Sequence, residues 1–220
     1  MSRRRYTRNE EIANTVSHGI GIFFGLAAGL WLLPLAAATN NPWAVGSVLA
    51  YVVCMLFSYI ASTSYHACRD TRRKIILRKL DHAAIYFHIA GTYTFFTLTV
   101  LRNAAFWGWL LFVVVWVAAL AGSYISIKGK KRGSPIETIC YVAMGLVICV
   151  AFKPLVDTLR SMHSLDTFWY LIAGGVLYIL GAVLYSFKRV PYIHFFFHLF
   201  VLGGSVCHVL SIASALSRLQ

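Results

Sequence analysis

The sequence predicts an all-α membrane protein, a single bundle of seven transmembrane helices. Hydrophobic residues make up 59% of the 220 and charged residues only 12%, with a mean hydropathy of +0.70, too apolar for a domain with a water-facing exterior. The apolar residues gather into seven runs at about 17–38, 43–66, 81–101, 104–127, 135–155, 167–187 and 191–213, each near the roughly 20 residues needed to cross a hydrocarbon core. Short links make these runs one domain over 17–213, flanked by an N-terminal tail with an interfacial helix at 1–16 and a C-terminal tail at 214–220.

Charge sets the expected orientation. Sixteen of the twenty Lys and Arg fall on one side: Arg3, Arg4, Arg5 and Arg8, then Arg69 to Lys79, then Lys128 to Arg132, then Lys188 and Arg189. Arg102, Lys153, Arg160 and Arg218 fall on the other. The positive-inside rule makes the N-terminus cytoplasmic and the C-terminus periplasmic. The net charge of +13 follows from this topology, with some attraction to anionic lipid, and calls for no nucleic acid. Membrane lipid is the expected partner, and no soluble protein partner is predicted. An inside N-terminus argues against a G-protein-coupled receptor, and the absence of a lysine deep in a span argues against a retinal protein. The five cysteines form no close CxxC pair and read as packing residues, and no cleavable signal peptide is expected.

Leading into the first span, Glu11, Asn14 and His18 share one helix face. That face fits an interfacial helix with a solvated side, or a lid on a polar site. Gly19, Gly21, Gly25 and Gly29 follow and predict close helix packing. In the second span Ser58, Ser62 and His66 recur at intervals of four; His66 alone reads as an interfacial histidine as readily as a ligand. Asp81, Ile85, His88 and Thr92 form a stripe down the third span. Among the acidic residues, Glu10, Glu11, Asp70, Asp157 and Asp166 read as tail or loop residues, while Asp81 and Glu137 open spans. Helix capping explains Glu137, after Ser134 and Pro135, but leaves the stripe below Asp81 unexplained. Trp107 and Trp109 suit the outer interface; the fifth and sixth spans read as packing helices, and His163 as a solvated loop residue. The seventh span opens with Pro191 at the first helical position and carries His194, His198, Ser205 and His208 along one stripe.

In the predicted topology His66 ends an inward-running span, Asp81 begins the next, and His194 and His198 begin the last, so all four share the cytoplasmic end. Three imidazoles and a carboxylate at one depth suit zinc with an open position for water. His208 is ten residues beyond His198, roughly 15 Å deeper, and is read as a buried hydrogen-bonded histidine, a proton relay or a polar wall.

Glu11-x-x-Asn14-x-x-Ser17-His18-x-x-Gly21, Ser62-x-x-x-His66, Leu80-Asp81-His82, Ala90-Gly91-Thr92-Tyr93-Thr94, and His194-x-x-x-His198 with Gly203-Gly204-Ser205 and His208 together resemble the bacterial hemolysin III family. That family is related to the adiponectin and progestin receptors and more distantly to the alkaline ceramidases. The resemblance implies seven transmembrane helices in a bacterial inner membrane and zinc bound by His66, His194 and His198. It further implies that Asp81 holds the water at the metal and that Ser62 is its motif neighbour. Phe95 stands where proline is usual, and Phe197 and Leu146 where tryptophan is common, which affects expected kinks and pocket shape rather than ligands.

Several functions follow as expectations. The first is a zinc-dependent hydrolase of a lipid amide or ester, serving membrane lipid homeostasis, with Asp81 as general base and Ser62 donating to the developing oxyanion. The second is a non-catalytic sensor in which zinc staples helices. Pore formation, suggested by the family's name, finds little support in uniformly apolar spans; a transporter would use the stripe of His88, Thr92, Ser205 and His208.

Overall fold

The computed structural model describes residues 6–129, 135–187 and 190–219. Arg3, Arg4, Arg5, Lys130, Lys131, Arg132, Lys188 and Arg189, which contribute to the expected orientation, lie outside the described residues, as does Ser134 before Glu137. Eight α-helices occur among the described residues: α1 (Arg8–Ala38), α2 (Pro42–Ala67), α3 (Thr71–Phe95), α4 (Trp107–Lys128), α5 (Pro135–Leu146), α6 (Phe152–Ser161), α7 (Leu165–Ser186) and α8 (Ile193–Ser217). A π-turn, Phe96–Val100, extends α3, and a 3-10 turn, Val147–Ala151, joins α5 to α6, so the chain has seven helices long and apolar enough to cross a membrane. Large apolar side chains cover the outside: Phe23 is 75% exposed and Leu30 80%. Hydrocarbon tolerates such a surface and water does not, so this is a multi-pass membrane protein.

Three helix starts differ from the sequence expectation, each for a local reason. The first helix begins at Arg8, well before the apolar run, because Thr7 and Glu10 form a reciprocal cap: the Thr7 N–H donates to Glu10 at 2.8 Å and the Glu10 N–H to Thr7 Oγ1 at 3.3 Å. Of the two readings of the Glu11, Asn14 and His18 face, the solvated one fails for Asn14 and His18, which are buried, while Glu11 stays partly exposed. The third helix begins at Thr71, capped by Asp70, which accepts from the Arg73 N–H at 2.7 Å. Asp70 is therefore a cap, and Asp81 sits inside the helix rather than opening it. The last helix begins at Ile193, not at Pro191: Tyr192 takes a left-handed conformation (φ 58°) and donates its N–H to Glu10 Oε1 at 2.9 Å. A carboxylate from the first turn of α1 thus fixes the entry to α8, and Glu10 is buried rather than a tail residue.

The helices α1 to α4 pack each on the next, and α8 packs on both α7 and α1. Close approach of α1 to α2 requires two of the expected glycines, since a Cβ at Gly21 would stand 2.5 Å from the Tyr59 ring and one at Gly25 2.7 Å from Leu56. Gly19 faces open space instead. The core joins Leu32, Tyr51, Met55, Tyr59, Phe95, Phe96, Ile212 and Leu216.

Breaks in α3 and the fifth span shape the interior. The π-turn follows Phe95 directly, with the Leu101 N–H donating to the Phe96 carbonyl at 2.8 Å, so the helix is distorted there without a proline. The fifth span, expected as a plain packing helix, is interrupted just after Leu146. There the Tyr93 hydroxyl donates to the Gly145 carbonyl and accepts from the Ile148 N–H, both at 2.8 Å. One side chain of α3 thereby satisfies backbone groups that the break takes out of the helical ladder. Between α3, the broken span, α7 and α8 lies a cavity of about 390 Å³.

Candidate metal centre

His66 lies in the last turn of α2, and His194 and His198 lie one turn apart at the start of α8. All three are buried, and they offer ring nitrogens that lie within 4.8 Å of one another. Both His66 Nε2 and His198 Nε2 are 3.1 Å from His194 Nε2. The helix α1 supplies the outer support. Glu11 Oε2 is 2.7 Å from His66 Nδ1, and the other carboxylate oxygen accepts from Lys74 Nζ at 2.7 Å. Ser17 donates its hydroxyl proton to the Asn14 carbonyl at 2.9 Å and so accepts from His198 Nδ1, also at 2.9 Å. His18 stacks on His198 with ring centroids 3.5 Å apart, and Tyr6 stacks on His194 at 5.3 Å.

These contacts test whether the site suits a metal. A carboxylate only accepts, so the Glu11 contact places the proton of neutral His66 on Nδ1 and leaves Nε2 bare. The Ser17 contact does the same for His198. Two bare nitrogens then face His194 Nε2, where one proton can serve one of the two 3.1 Å contacts but not both. A cation accepting all three lone pairs removes the conflict. Oriented imidazoles with hydrogen-bonded far nitrogens are the usual construction of a histidine metal site, so the His66, His194 and His198 group could hold a metal ion.

The family model for "Haemolysin-III related" proteins matches residues 6–209. The chain belongs to the haemolysin III family. It is 39% identical over 200 residues to the "Hemolysin-3 homolog" of Bacillus subtilis (strain 168), covering 91% of each chain. To "Hemolysin-3" of Bacillus cereus it is 38% identical, covering 93% of this chain and 91% of that one. Likeness extends at 26% identity to the human "Monocyte to macrophage differentiation factor", over 98% of this chain and 88% of that one. At the same identity, the yeast "ADIPOR-like receptor IZH2" matches over 93% of this chain and 70% of the relative.

In this haemolysin III protein the two other residues singled out from sequence, Asp81 and Ser62, both border the cavity that opens beneath the histidines. Asp81 stands outside the group of converging ligand atoms. Ser62 is 2% exposed and its hydroxyl has no protein partner among the described residues, so it is free to meet a molecule in the cavity. His82, beside Asp81, also borders the cavity, with Nδ1 3.1 Å from Glu137 Oε2, while Ser126 donates to the other Glu137 oxygen at 3.1 Å. Glu137 therefore ties α3 and α4 to α5, a role beyond the cap expected for it. Sequence reasoning missed Ser17, Glu137 and the pairing of Glu11 with His66. A signal existed for the first and last, the spacing Glu11, Asn14, Ser17, His18 on one helix face; none existed for Glu137, whose partners lie on other helices.

The haemolysin III cavity is polar at one end and mostly apolar beyond. His194, His198, Asp81 and Ser62 stand at the polar end, while Ile85, Ile89, Leu146, Phe168, Ile172 and Val201 border the remainder. Of the readings offered for His208, the hydrogen-bonded one finds no support, since neither ring nitrogen has a hydrogen-bond partner among the described residues, while its place on the cavity lining fits a polar wall.

Proposed function

We propose that this protein is a zinc-dependent hydrolase of a lipid amide or ester, held in a bacterial inner membrane with its site at the cytoplasmic end. The observation that carries the reading is the union of the histidine group with a cavity whose far walls are apolar. His66, His194 and His198 would hold the metal, and imidazole ligands without thiolate suit zinc. When bound there, zinc supplies Lewis-acid polarisation of a carbonyl and of water. The chain's own groups do the rest. Glu11 and Ser17 hold two of the histidine rings by their Nδ1 atoms, keeping Nε2 turned inward. Asp81 Oδ takes the proton of the attacking water, and the Ser62 hydroxyl, unspent on protein, donates to the carbonyl oxygen as charge develops on it. The apolar walls seat the acyl chain and keep bulk water away from the reacting ester or amide.

The test takes detergent-purified wild type, His198→Ala and Asp81→Asn through metal analysis and then a panel of lipid amides and esters. One zinc per wild-type chain, lost in His198→Ala, with turnover that falls by about 10²-fold or more in metal-loaded Asp81→Asn, supports the reading. A zinc-loaded wild type that cleaves nothing in the panel would overturn it.

The alternative is a non-catalytic sensor. It is favoured by the way the histidine group ties α2 to α8 while α1 braces both, an arrangement in which a metal would staple the helices. In that case Asp81→Asn keeps both metal and cellular effect.

A further inference from the structure

We propose that His88 and His208 form a second polar subsite, deeper in the same cavity, which binds an oxygen function carried part-way along a lipid chain, a hydroxyl or oxo group. The proposal rests on the reading of the cavity as a lipid site and narrows the class of lipid.

His88 comes from α3 and His208 from α8, and both border the cavity while being only 6% and 7% exposed. His88 Nε2 has no hydrogen-bond partner among the described residues, nor has either ring nitrogen of His208. The Leu171 carbonyl lies near the His208 ring without meeting hydrogen-bond geometry, so even if it moved closer one nitrogen would remain unmet. Tyr178 stands between the two histidines, with ring centroids 6.3 Å from His88 and 5.2 Å from His208. Its hydroxyl does not serve either of them. Tyr178 and Tyr59 both reach Ser205 Oγ, at 2.9 and 2.7 Å, and Ser205 passes its own proton to the Val201 carbonyl at 3.1 Å. Tyr178, Tyr59 and Ser205 are thus occupied with one another, while Tyr51, whose ring lies 6.3 Å from His88, also keeps a buried hydroxyl without a partner among the described residues. Two imidazoles kept unpaired in a low-dielectric interior are costly unless something in the cavity meets them.

The spacing states what that something is. His88 lies seven residues beyond Asp81 on α3, and His208 ten beyond His198 on α8, so the pair sits about 10–15 Å below the head of the site. An extended chain advances roughly 1.2 Å per bond, which puts the oxygen about eight to twelve bonds from the reacting carbonyl. Between the two polar ends Ile85, Ile89, Ile179 and Val201 make the wall mostly apolar, with Ser58 one turn beyond Ser62 among them. A plain acyl chain would leave the histidines unmet, whereas a mid-chain hydroxyl can both donate to one ring nitrogen and accept from another.

The experiment is competition against radiolabelled octadecanoic acid on the full-length detergent-purified protein, with unlabelled octadecanoic, 10-hydroxyoctadecanoic and 18-hydroxyoctadecanoic acids. Wild type is expected to prefer the 10-hydroxy acid over octadecanoic acid by about tenfold, with no such gain for the 18-hydroxy acid. In His208→Leu the preference should vanish while octadecanoic acid still binds; His88→Leu gives the same reading should His208→Leu not fold. Equal competition by all three acids in wild type overturns the subsite and assigns its nitrogens to water, leaving the lipid reading in place. A preference that survives in both variants also overturns it. Failure of labelled octadecanoic acid to bind at all would refute the lipid reading itself, and the subsite with it.

Discussion

Replacing Glu11 with glutamine is the sharpest probe of the metal centre, because Glu11 touches a histidine and not the cavity. Its carboxylate is 2.7 Å from His66 Nδ1 and 2.7 Å from Lys74 Nζ, and its side chain is 21% exposed. Glutamine keeps the length and one acceptor oxygen. It removes the charge that makes His66 a better ligand, and it turns an amide donor toward either the imidazole or the lysine, both of which are donors. Loss of an outer partner of this kind costs about 10–100-fold in metal affinity, or about 1.4–2.8 kcal/mol. Because the carboxylate is shared with Lys74 and partly screened by solvent, the lower part of that range is expected, about tenfold to thirtyfold. The assay is zinc competition against a fluorescent chelator, on wild type, Glu11→Gln, Ser17→Ala and the double variant. Glu11 and Ser17 brace different histidines of one cluster, both 3.1 Å from His194, so the double variant measures how strongly the two braces are coupled. An affinity for Glu11→Gln within about twofold of wild type, in a protein whose His198→Ala variant has lost zinc, would refute the argument that this carboxylate orients His66.

Chelation should lower the thermal stability of wild type, since ligands from α2 and α8 meet only when both helices are docked; zinc at a hundred times its Kd adds about 2.7 kcal/mol, and His198→Ala should melt alike with and without chelator. Tyr93→Phe leaves the Ile148 N–H and the Gly145 carbonyl without the hydroxyl that joins them, costing about 1–3 kcal/mol, with faster hydrogen exchange at Ile148. An unchanged exchange rate there would mean that the break is held by other contacts. For the orientation, a C-terminal alkaline phosphatase fusion in a bacterial host should be active and an N-terminal fluorescent protein bright; the reverse pair of results would put the histidine group on the periplasmic side.

How far the sequence reached depended on whether a property belonged to one helix or to several. Seven crossings were legible because hydropathy is a sum over neighbours in the chain, and the helices follow the apolar runs closely except where polar turns precede them, as at Arg8 and Thr71. His194 and His198 could be paired from their spacing, since four residues on a helix always share a face. Glu10 escaped notice for the opposite reason: it read as a tail residue, yet it caps α1 and holds the Tyr192 N–H across the bundle. Likewise Glu137 resembled an ordinary helix cap until its partners His82 and Ser126 were brought to it from α3 and α4.

By itself, then, the sequence determined that the chain lives in a membrane, how many times it crosses, and which polar side chains share a helix face, because all three follow from composition and from intervals along single helices. Only the tertiary structure decided that Glu11 braces His66 and Ser17 braces His198, that the fifth span breaks against Tyr93, and that His88 and His208 border one cavity. Those pairings depend on how far each helix is rotated and shifted in depth against its neighbours. That is settled by close packing of side chains such as Tyr59 into the gap at Gly21, a fit between helices that no interval within one of them records.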